Sequence, residues 1–151
     1  AEHLLGIMKK YGVSSDQVNL EITETAASYD QNVMTENLSE LSAAGISFSL
    51  DDYGTGYSNM YRIAALPLKI VKLDKTFVNN QNDKMWTILQ NTVRMIKDLN
   101  MEIVVEGIEP ADMVKKFSDL KCDFIQGFYY SKPIPEQEFV KFISDKNSVS
   151  A

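Results

Sequence analysis

Residues 45–52 read Gly-Ile-Ser-Phe-Ser-Leu-Asp-Asp, an apolar run that begins at a glycine and ends in two acids. The segment before it carries apolar residues at helical spacing, which are Val33, Leu38, Leu41 and Ala44. Gly45 stands where helices commonly end in a left-handed residue. We therefore predict a helix that stops at Gly45 and a strand over Ile46–Leu50 that delivers Asp51 and Asp52 to its carboxyl end.

The same alternation of strand and helix extends in both directions along the chain. The strand-like runs are Val18–Ile22, Ile46–Leu50, Ile70–Leu73, Ile103–Val105 and Cys122–Ile125. Further helical stripes are predicted over 85–99, over 113–120 behind Pro110, and over 135–143. Helices between successive strands indicate right-handed crossovers and a parallel sheet. The predicted fold class is α/β, with about five parallel strands alternating with helices.

Composition limits the kinds of site that the chain can build. Its 151 residues fit one domain, since domains run to roughly 100–200 residues. A single cysteine, Cys122, excludes an internal disulfide, and with a single histidine, His3, it also excludes zinc sites of the Cys/His type. Twenty-one acids against fifteen bases give a net charge of −6, which disfavours nucleic-acid polymers as partners. Any metal must therefore be a hard cation with oxygen ligands.

No apolar run approaches the roughly 18–20 residues of a membrane span, and no secretory signal opens the chain. We therefore expect a cytoplasmic location for this part of the protein, although a longer parent protein could be associated with a membrane.

Charged and amide side chains follow all five predicted strands. In chain order they are Glu21 and Glu24, Asp51 and Asp52, Lys72 and Asp74, Glu106 and Glu109, and Gln126. Ligand sites of parallel α/β folds form where the carboxyl ends of the strands meet. A single acid in such a place is more often a helix cap or a solvated loop residue, but five strand ends in succession indicate a site. Adjacent carboxylates repel unless a cation lies between them, and Mg²⁺ or Mn²⁺ binds such oxygens.

Six motifs in order resemble the EAL-domain family of bacterial cyclic di-GMP phosphodiesterases. They are Leu20–Glu24 (LEITE), Asp51–Ser58 (DDYGTGYS), Leu66-Pro67, Lys72–Asp74 (KLD), Val105–Glu109 (VEGIE) and Gln126–Pro133 (QGFYYSKP). The resemblance runs from about Leu4 to Ile143. It implies a partial TIM-like barrel, since a whole barrel needs about 250 residues. The family's Glu-Ala-Leu segment and an early asparagine ligand are not in the chain, so we expect residues 1–151 to be the C-terminal part of an EAL domain.

The resemblance also implies a role for each residue that matches a family motif. It places Glu21, Asp51, Asp52 and Glu106 on the positions of ligands for two Mg²⁺ or Mn²⁺ ions. It makes Lys72 the lysine that orients the attacking water, and Glu106 or Glu109 the proton acceptor. Gln126 and Pro133 fall on substrate-binding positions, and Gln126 also on a catalytic one. Glu24 matches an anchor for the loop 52–58, and Asp74 supports the ligands from behind.

Purely structural interpretations stay open for Asp74, for Lys72 and for the aromatic residues near the last predicted strand. Asp74 could be a helix cap, and Lys72 could be a buried stem paired with strand-end acids. The aromatic residues Phe124, Phe128, Tyr129 and Tyr130 are more typical of a core or barrel rim than of a guanine-stacking surface.

Two functions from different classes follow. The first is hydrolysis of cyclic di-GMP to linear pGpG by two-metal-assisted attack of water, with residues 1–151 inactive on their own. The alternative is a non-catalytic regulatory module that binds cyclic di-GMP or a protein. The resemblance implies upstream sensory or diguanylate-cyclase domains in the parent protein. We expect a homodimer, formed by the exposed sheet edges Val18–Ile22 and Cys122–Ile125, or alternatively by the loop 52–58 and the helix Tyr57–Leu66.

Overall fold

Five parallel strands form one sheet whose spatial order follows the chain. The computed structural model describes residues 1–23, 26, 31–55, 60–79 and 82–148. The strands are β1 (Asn19–Thr23), β2 (Ser47–Tyr53), β3 (Ile70–Leu73), β4 (Glu102–Val105) and β5 (Phe124–Ile125). Every neighbouring pair is parallel, which confirms the predicted α/β class. Within the described ranges β1 and β5 are the two edges of the sheet, as predicted.

Helices precede, separate and follow the strands. They are α1 (Glu2–Tyr11), α2 (Gln31–Ala43), α3 (Met60–Ala65), α4 (Lys75–Asn79), α5 (Asp83–Asp98), α6 (Ala111–Asp119) and α7 (Glu136–Ser148). Gly45 has φ 92° just beyond α2, so the predicted left-handed residue is confirmed. Asn82 caps α5 by accepting a hydrogen bond from Met85 N at 2.9 Å. The apolar spacing did not predict the five-residue helix α4.

One face of the sheet is buried against the helices. Its side chains include Ile22, Phe48, Leu50, Val71, Leu73, Ile103 and Val105, all at most 7% exposed. They join Leu41 of α2, Ile96 of α5 and Phe117 of α6 in one core cluster. Because side chains alternate between the faces of a strand, the residues between these apolar positions lie on the opposite face. That face carries Glu21, Asp51 and Lys72, so the alternation of the strands separates the core from the polar residues.

Asp123, just before β5, links three elements. Its Oδ2 accepts a hydrogen bond from Ile103 N of β4 at 2.7 Å, and its carboxylate pairs with Lys97 of α5. Its own N–H donates to Ile103 O at 3.1 Å. Burial opposes ionisation of Asp123, but the Lys97 ammonium and the Ile103 N–H outweigh it and hold the pKa of Asp123 below its ordinary value of 3.8. The carboxylate therefore fixes β5 and α5 to β4.

Replacing Asp123 with Asn should lower the free energy of unfolding at pH 7 by about 1 kcal/mol, because a charge-assisted contact is lost. Chemical denaturation measures this change. Asp98→Asn is the matched control: among the described residues its one ion pair is with Arg94 at 3.9 Å, both side chains are largely exposed, and exposed pairs contribute little.

The pH dependence of this difference has a defined sign. A depressed carboxyl pKa contributes stability that is present above the unfolded pKa of about 3.9 and is lost as the pH falls through the folded value. The difference between wild type and Asp123→Asn should therefore shrink in acid. Equal stability of the two proteins at pH 7, or a difference that grows in acid, would contradict this account of Asp123.

Candidate functional site

A backbone irregularity at the end of β2 brings two adjacent acids to one place. Asp52 has φ 56°, a left-handed conformation that few non-glycine residues adopt. The pairing of β2 with β3 shifts register between Leu50 and Tyr53. In a regular strand Asp51 and Asp52 would point to opposite faces. Here each of them and Glu106 offers a carboxylate oxygen, and the three oxygens lie within 4.8 Å of one another.

Lys72 lies at the centre of a second, overlapping cluster. Its Nζ is 2.8 Å from Glu21 Oε1, 2.9 Å from Asp51 Oδ1 and 2.9 Å from Glu106 Oε1. The Lys72 side chain is 11% exposed, whereas that of Glu21 is 52% exposed. The two clusters share Asp51 and Glu106. Carboxylates from β1, from β2 and from the end of β4 therefore meet on one ammonium group.

The charge of Lys72 is fixed by this arrangement. Burial by itself would lower the pKa of Lys72, but the contacts of its ammonium with Glu21, Asp51 and Glu106 outweigh burial. They hold this pKa well above its ordinary value, so Lys72 is positively charged at neutral pH. The alternative reading of Lys72, as a stem paired with strand-end acids, describes these contacts correctly.

One ammonium group does not balance all of these carboxylates. Asp51 Oδ1 is fully buried and lies 2.9 Å from Lys72 Nζ, so a single positive charge stands against the carboxylates of Glu21, Asp51, Asp52 and Glu106. A cation bound to Asp51, Asp52 and Glu106 would supply the missing positive charge, and an all-oxygen donor set suits Mg²⁺, Mn²⁺ or Ca²⁺. The residues present thus fit a hard divalent cation.

A cleft of about 820 Å³ opens beside the carboxylates. Four of the predicted site residues line it, namely Asp74, Glu106, Glu109 and Gln126. The backbone holds two of them, since Glu106 N donates to Leu73 O at 3.0 Å and Gln126 N donates to Val105 O at 2.8 Å. Glu106 therefore belongs both to the acidic cluster and to the cleft. The KLD, VEGIE and QGFYYSKP motifs each contribute residues to the lining of the cleft.

The remaining predicted residues divide into three cases. Asp74 Oδ1 accepts a hydrogen bond from Thr76 N at 2.8 Å, so it caps the short helix α4 as its alternative reading proposed, and it also lines the cleft. Pro133 lies away from the acids, in a cavity of about 530 Å³ that shares Gln126 with the larger cleft. Glu24 and residues 56–58 of the loop that it is predicted to anchor lie outside the described residues.

The aromatic run after β5 is a surface feature. Phe124, Phe128, Tyr129 and Tyr130 are each between 45% and 54% exposed, so they are not core residues. Phe128 lines both cavities, and the Lys132 ammonium lies 5.8 Å from the centre of its ring. Phe128 therefore lies between the two cavities.

Sequence reasoning missed the polar contacts beneath the acids. Ser49 is 1% exposed and donates to Asn19 Oδ1 at 2.6 Å, while Asn19 Nδ2 donates to Ser47 Oγ at 3.0 Å. These three side chains link β1 to β2 on the face that carries Glu21 and Asp51. The sequence contains a signal for these contacts, because Ser47 and Ser49 alternate with apolar residues in the stretch 45–52 and so share one face of the strand.

Two glycines allow the loops around the cleft to pack closely. A Cβ on Gly127 would lie 2.0 Å from Ile108 O and 2.4 Å from Ile108 N, which is backbone that cannot move aside easily. Gly107 has φ 70°, and a Cβ there would lie 2.6 Å from the Cβ of Lys75. The hydrogen bond from Ile108 N to Gln126 O, 3.1 Å long, depends on this approach. These glycines therefore position Glu106 and Gln126.

Gly127→Ala should lower the free energy of unfolding by at least about 2 kcal/mol, because the new Cβ forces apart the backbones of two loops. Denaturant unfolding followed by circular dichroism measures the change. Gly6→Ala is the matched control: Gly6 lies inside α1 with no atom within 4 Å of an added Cβ, so alanine should stabilise by about 0.5–1 kcal/mol. If the two substitutions had similar effects, the close approach at Gly127 would be wrong.

The chain resembles known proteins over most of its length. The family model described as "EAL domain" matches residues 1–133. The cyclic di-GMP phosphodiesterase RocR of Pseudomonas aeruginosa is 30% identical over 146 residues, which are 95% of this chain and 37% of that protein. The chain thus spans little more than a third of the length of this relative.

Solved structures show the same similarity. The EAL domain of Mycobacterium smegmatis DcpA superposes with a TM-score of 0.86 at 30% identity, over 95% of this chain and 66% of that one. Klebsiella pneumoniae BlrP1, in a complex with manganese and cyclic di-GMP, gives a TM-score of 0.80 at 27% identity, over 87% of this chain and 34% of that one. These likenesses extend over 87–95% of the chain. The chain belongs to the EAL domain family.

Proposed function

We propose that the chain forms part of a phosphodiesterase domain that hydrolyses cyclic di-GMP to linear pGpG. The observation that carries the proposal is the meeting of Asp51, Asp52 and Glu106 within 4.8 Å of one another beside the Lys72 ammonium. Support comes from RocR, which is named a cyclic di-GMP phosphodiesterase, and from BlrP1, whose complex holds that dinucleotide with manganese.

Asp51, Asp52 and Glu106 would hold a divalent cation, and we propose two Mg²⁺ or Mn²⁺ ions in the working domain. Glu21 was predicted as a further ligand; it contacts Lys72 at 2.8 Å and lies outside the group of three converging carboxylates. Bound divalent ions would lower the pKa of a water molecule and neutralise charge on the phosphodiester.

The chain's own residues then have separate roles. Lys72, charged and largely buried, offsets negative charge that develops on the phosphodiester oxygens. The carboxylate of Glu106 or Glu109 accepts a proton from the water that attacks phosphorus, and the P–O bond to one ribose breaks as the new P–O bond forms. The leaving ribose oxygen takes up a proton, so one water is added and linear pGpG results. Gln126 contacts the substrate from the wall of the cleft, Pro133 contacts it from the adjoining cavity that shares Gln126, and Asp74 supports the site from the start of α4.

The surroundings of the domain are also part of the proposal. The relatives are longer than this chain, and we infer that it works in a cytoplasmic protein together with sensory or diguanylate-cyclase domains. None of the helices in the described ranges combines the length and the apolar character of a membrane span.

A homodimer remains a prediction, which light scattering over a dilution series tests. A monomer at tens of micromolar would contradict it.

Glu106→Gln and Lys72→Ala should each lower kcat for cyclic di-GMP by about 10²–10⁴-fold, the usual contribution of a proton acceptor or a charge at the reacting group. The assay follows pGpG by chromatography in a protein that contains residues 1–151 within a complete EAL domain. Glu102→Gln is the matched control, because the Glu102 side chain is 40% exposed and its one ion pair within the part of the chain that the structure describes is with Lys69 at 4.0 Å. Near-normal turnover in either site variant would show that the site is assigned wrongly, and binding without cleavage by wild type would favour the non-catalytic module.

The same assay on residues 1–151 alone should show little or no hydrolysis with Mn²⁺. The described sheet is open at β1 and β5, and this chain covers 66% of the DcpA EAL domain. We infer that the substrate floor and further ligands come from the remainder of such a domain. Turnover equal to that of the complete domain, with contamination excluded, would overturn this inference.

A further inference from the structure

We propose that the Lys72 ammonium is the resident counter-cation of the acidic cluster, and that a divalent cation binds by competing with it for Asp51 and Glu106. This inference rests on the proposed function, because it takes these acids to be the metal ligands. It adds that the lysine weakens cation binding, so that occupancy of the site depends on the cation concentration.

The two cations would share two carboxylate groups. Lys72 Nζ lies 2.9 Å from Asp51 Oδ1 and 2.9 Å from Glu106 Oε1. Asp51 and Glu106 are also two of the three residues whose carboxylate oxygens converge within 4.8 Å. Only Asp52 of those three has no ion pair with Lys72 within the described ranges. Lys72 thus contacts two of the three candidate metal ligands.

Close approach of the two charges is unfavourable in this setting. Mg²⁺ contacts carboxylate oxygens at about 2.0–2.1 Å. An ion on Asp51 Oδ1 or Glu106 Oε1 would therefore lie within about 5 Å of Lys72 Nζ while Lys72 keeps its contacts. The Lys72 side chain is 11% exposed, and the side chains of Asp51 and Glu106 are 21% and 17% exposed. Water screens such a partly buried pair weakly, so the repulsion is substantial.

The structure also provides a place for the displaced ammonium. Glu21 Oε1 lies 2.8 Å from Nζ, and Glu21 lies outside the group of three converging carboxylates. Its side chain is 52% exposed. The flexible four-carbon stem of lysine lets the ammonium keep this contact while it leaves Asp51 and Glu106. Metal binding would therefore exchange one cation for another without leaving the carboxylates uncompensated.

Mn²⁺ titration of a protein that contains residues 1–151 within a complete EAL domain tests the proposal without any measurement of turnover. Isothermal calorimetry gives the Kd for MnCl₂, and the Mn²⁺-induced shift in Tm gives an independent measure of binding. Neutral substitutions at Lys72 should lower the Kd by about tenfold or more, because the competing charge is gone. Lys72→Met and Lys72→Gln are both measured, so that one remains if the other fails to fold. Lys72→Arg is the matched control and should bind Mn²⁺ with a Kd near that of wild type.

The outcomes separate this proposal from the function it rests on. Tighter Mn²⁺ binding by either neutral variant, together with a lower Tm of the same variant without metal, supports it. Unchanged or weaker binding by the neutral variants, with Mn²⁺ still bound by wild type and lost in Asp52→Asn, overturns this proposal alone, because Lys72 would then only position the ligands. Mn²⁺ binding that is absent from every protein, or that is indifferent to Asp52→Asn, would overturn the proposed metal site and this inference together.

Discussion

Mutual repulsion among clustered carboxylates is the constraint on which the site depends. Glu21, Asp51, Asp52 and Glu106 cluster at one end of the sheet, and the Lys72 ammonium contacts three of them at 2.8–2.9 Å. Carboxylates this close repel one another unless a positive charge lies between them. Lys72 therefore keeps Glu21, Asp51 and Glu106 close together. The strands that carry these residues are held by the apolar face behind them, so folding and site formation are coupled.

The backbone makes this concentration of charge possible at a few specific positions. The left-handed Asp52 breaks the alternation of β2 and brings a second acid to the same place as Asp51. Gly127 lets the loop after β5 approach Ile108 in the loop after β4, and Gly107 lets the loop after β4 approach Lys75 of α4, more closely than a side chain allows. The polar contacts between Asn19, Ser47 and Ser49 join β1 to β2 beneath the acids. The geometry of the site is thus set by irregular residues on a regular sheet.

The sequence predicted most of the fold because its patterns are local. Apolar runs bounded by acids or by Gly45 marked all five strands, and Ile70–Leu73 has the predicted bounds. The strand predicted over Cys122–Ile125 shortens to Phe124–Ile125, since Asp123 instead uses its carboxylate on Ile103 N. The contacts of Lys72 depend on distances between strands, which no local pattern contains. The exposure of Phe124, Phe128, Tyr129 and Tyr130 could not be predicted, because it depends on which parts of the folded chain pack against these side chains.

We propose that Asp51, Asp52 and Glu106 form a divalent-cation site. Anomalous diffraction at the manganese edge, from crystals grown with MnCl₂, locates such an ion. We expect an anomalous peak within about 2.0–2.6 Å of carboxylate oxygens of these three residues, with Lys72 Nζ farther than its present 2.9 Å from at least one of Asp51 and Glu106. Manganese peaks only at other acids, with Lys72 still in contact with all three of its partners, would show that the cation site is assigned wrongly.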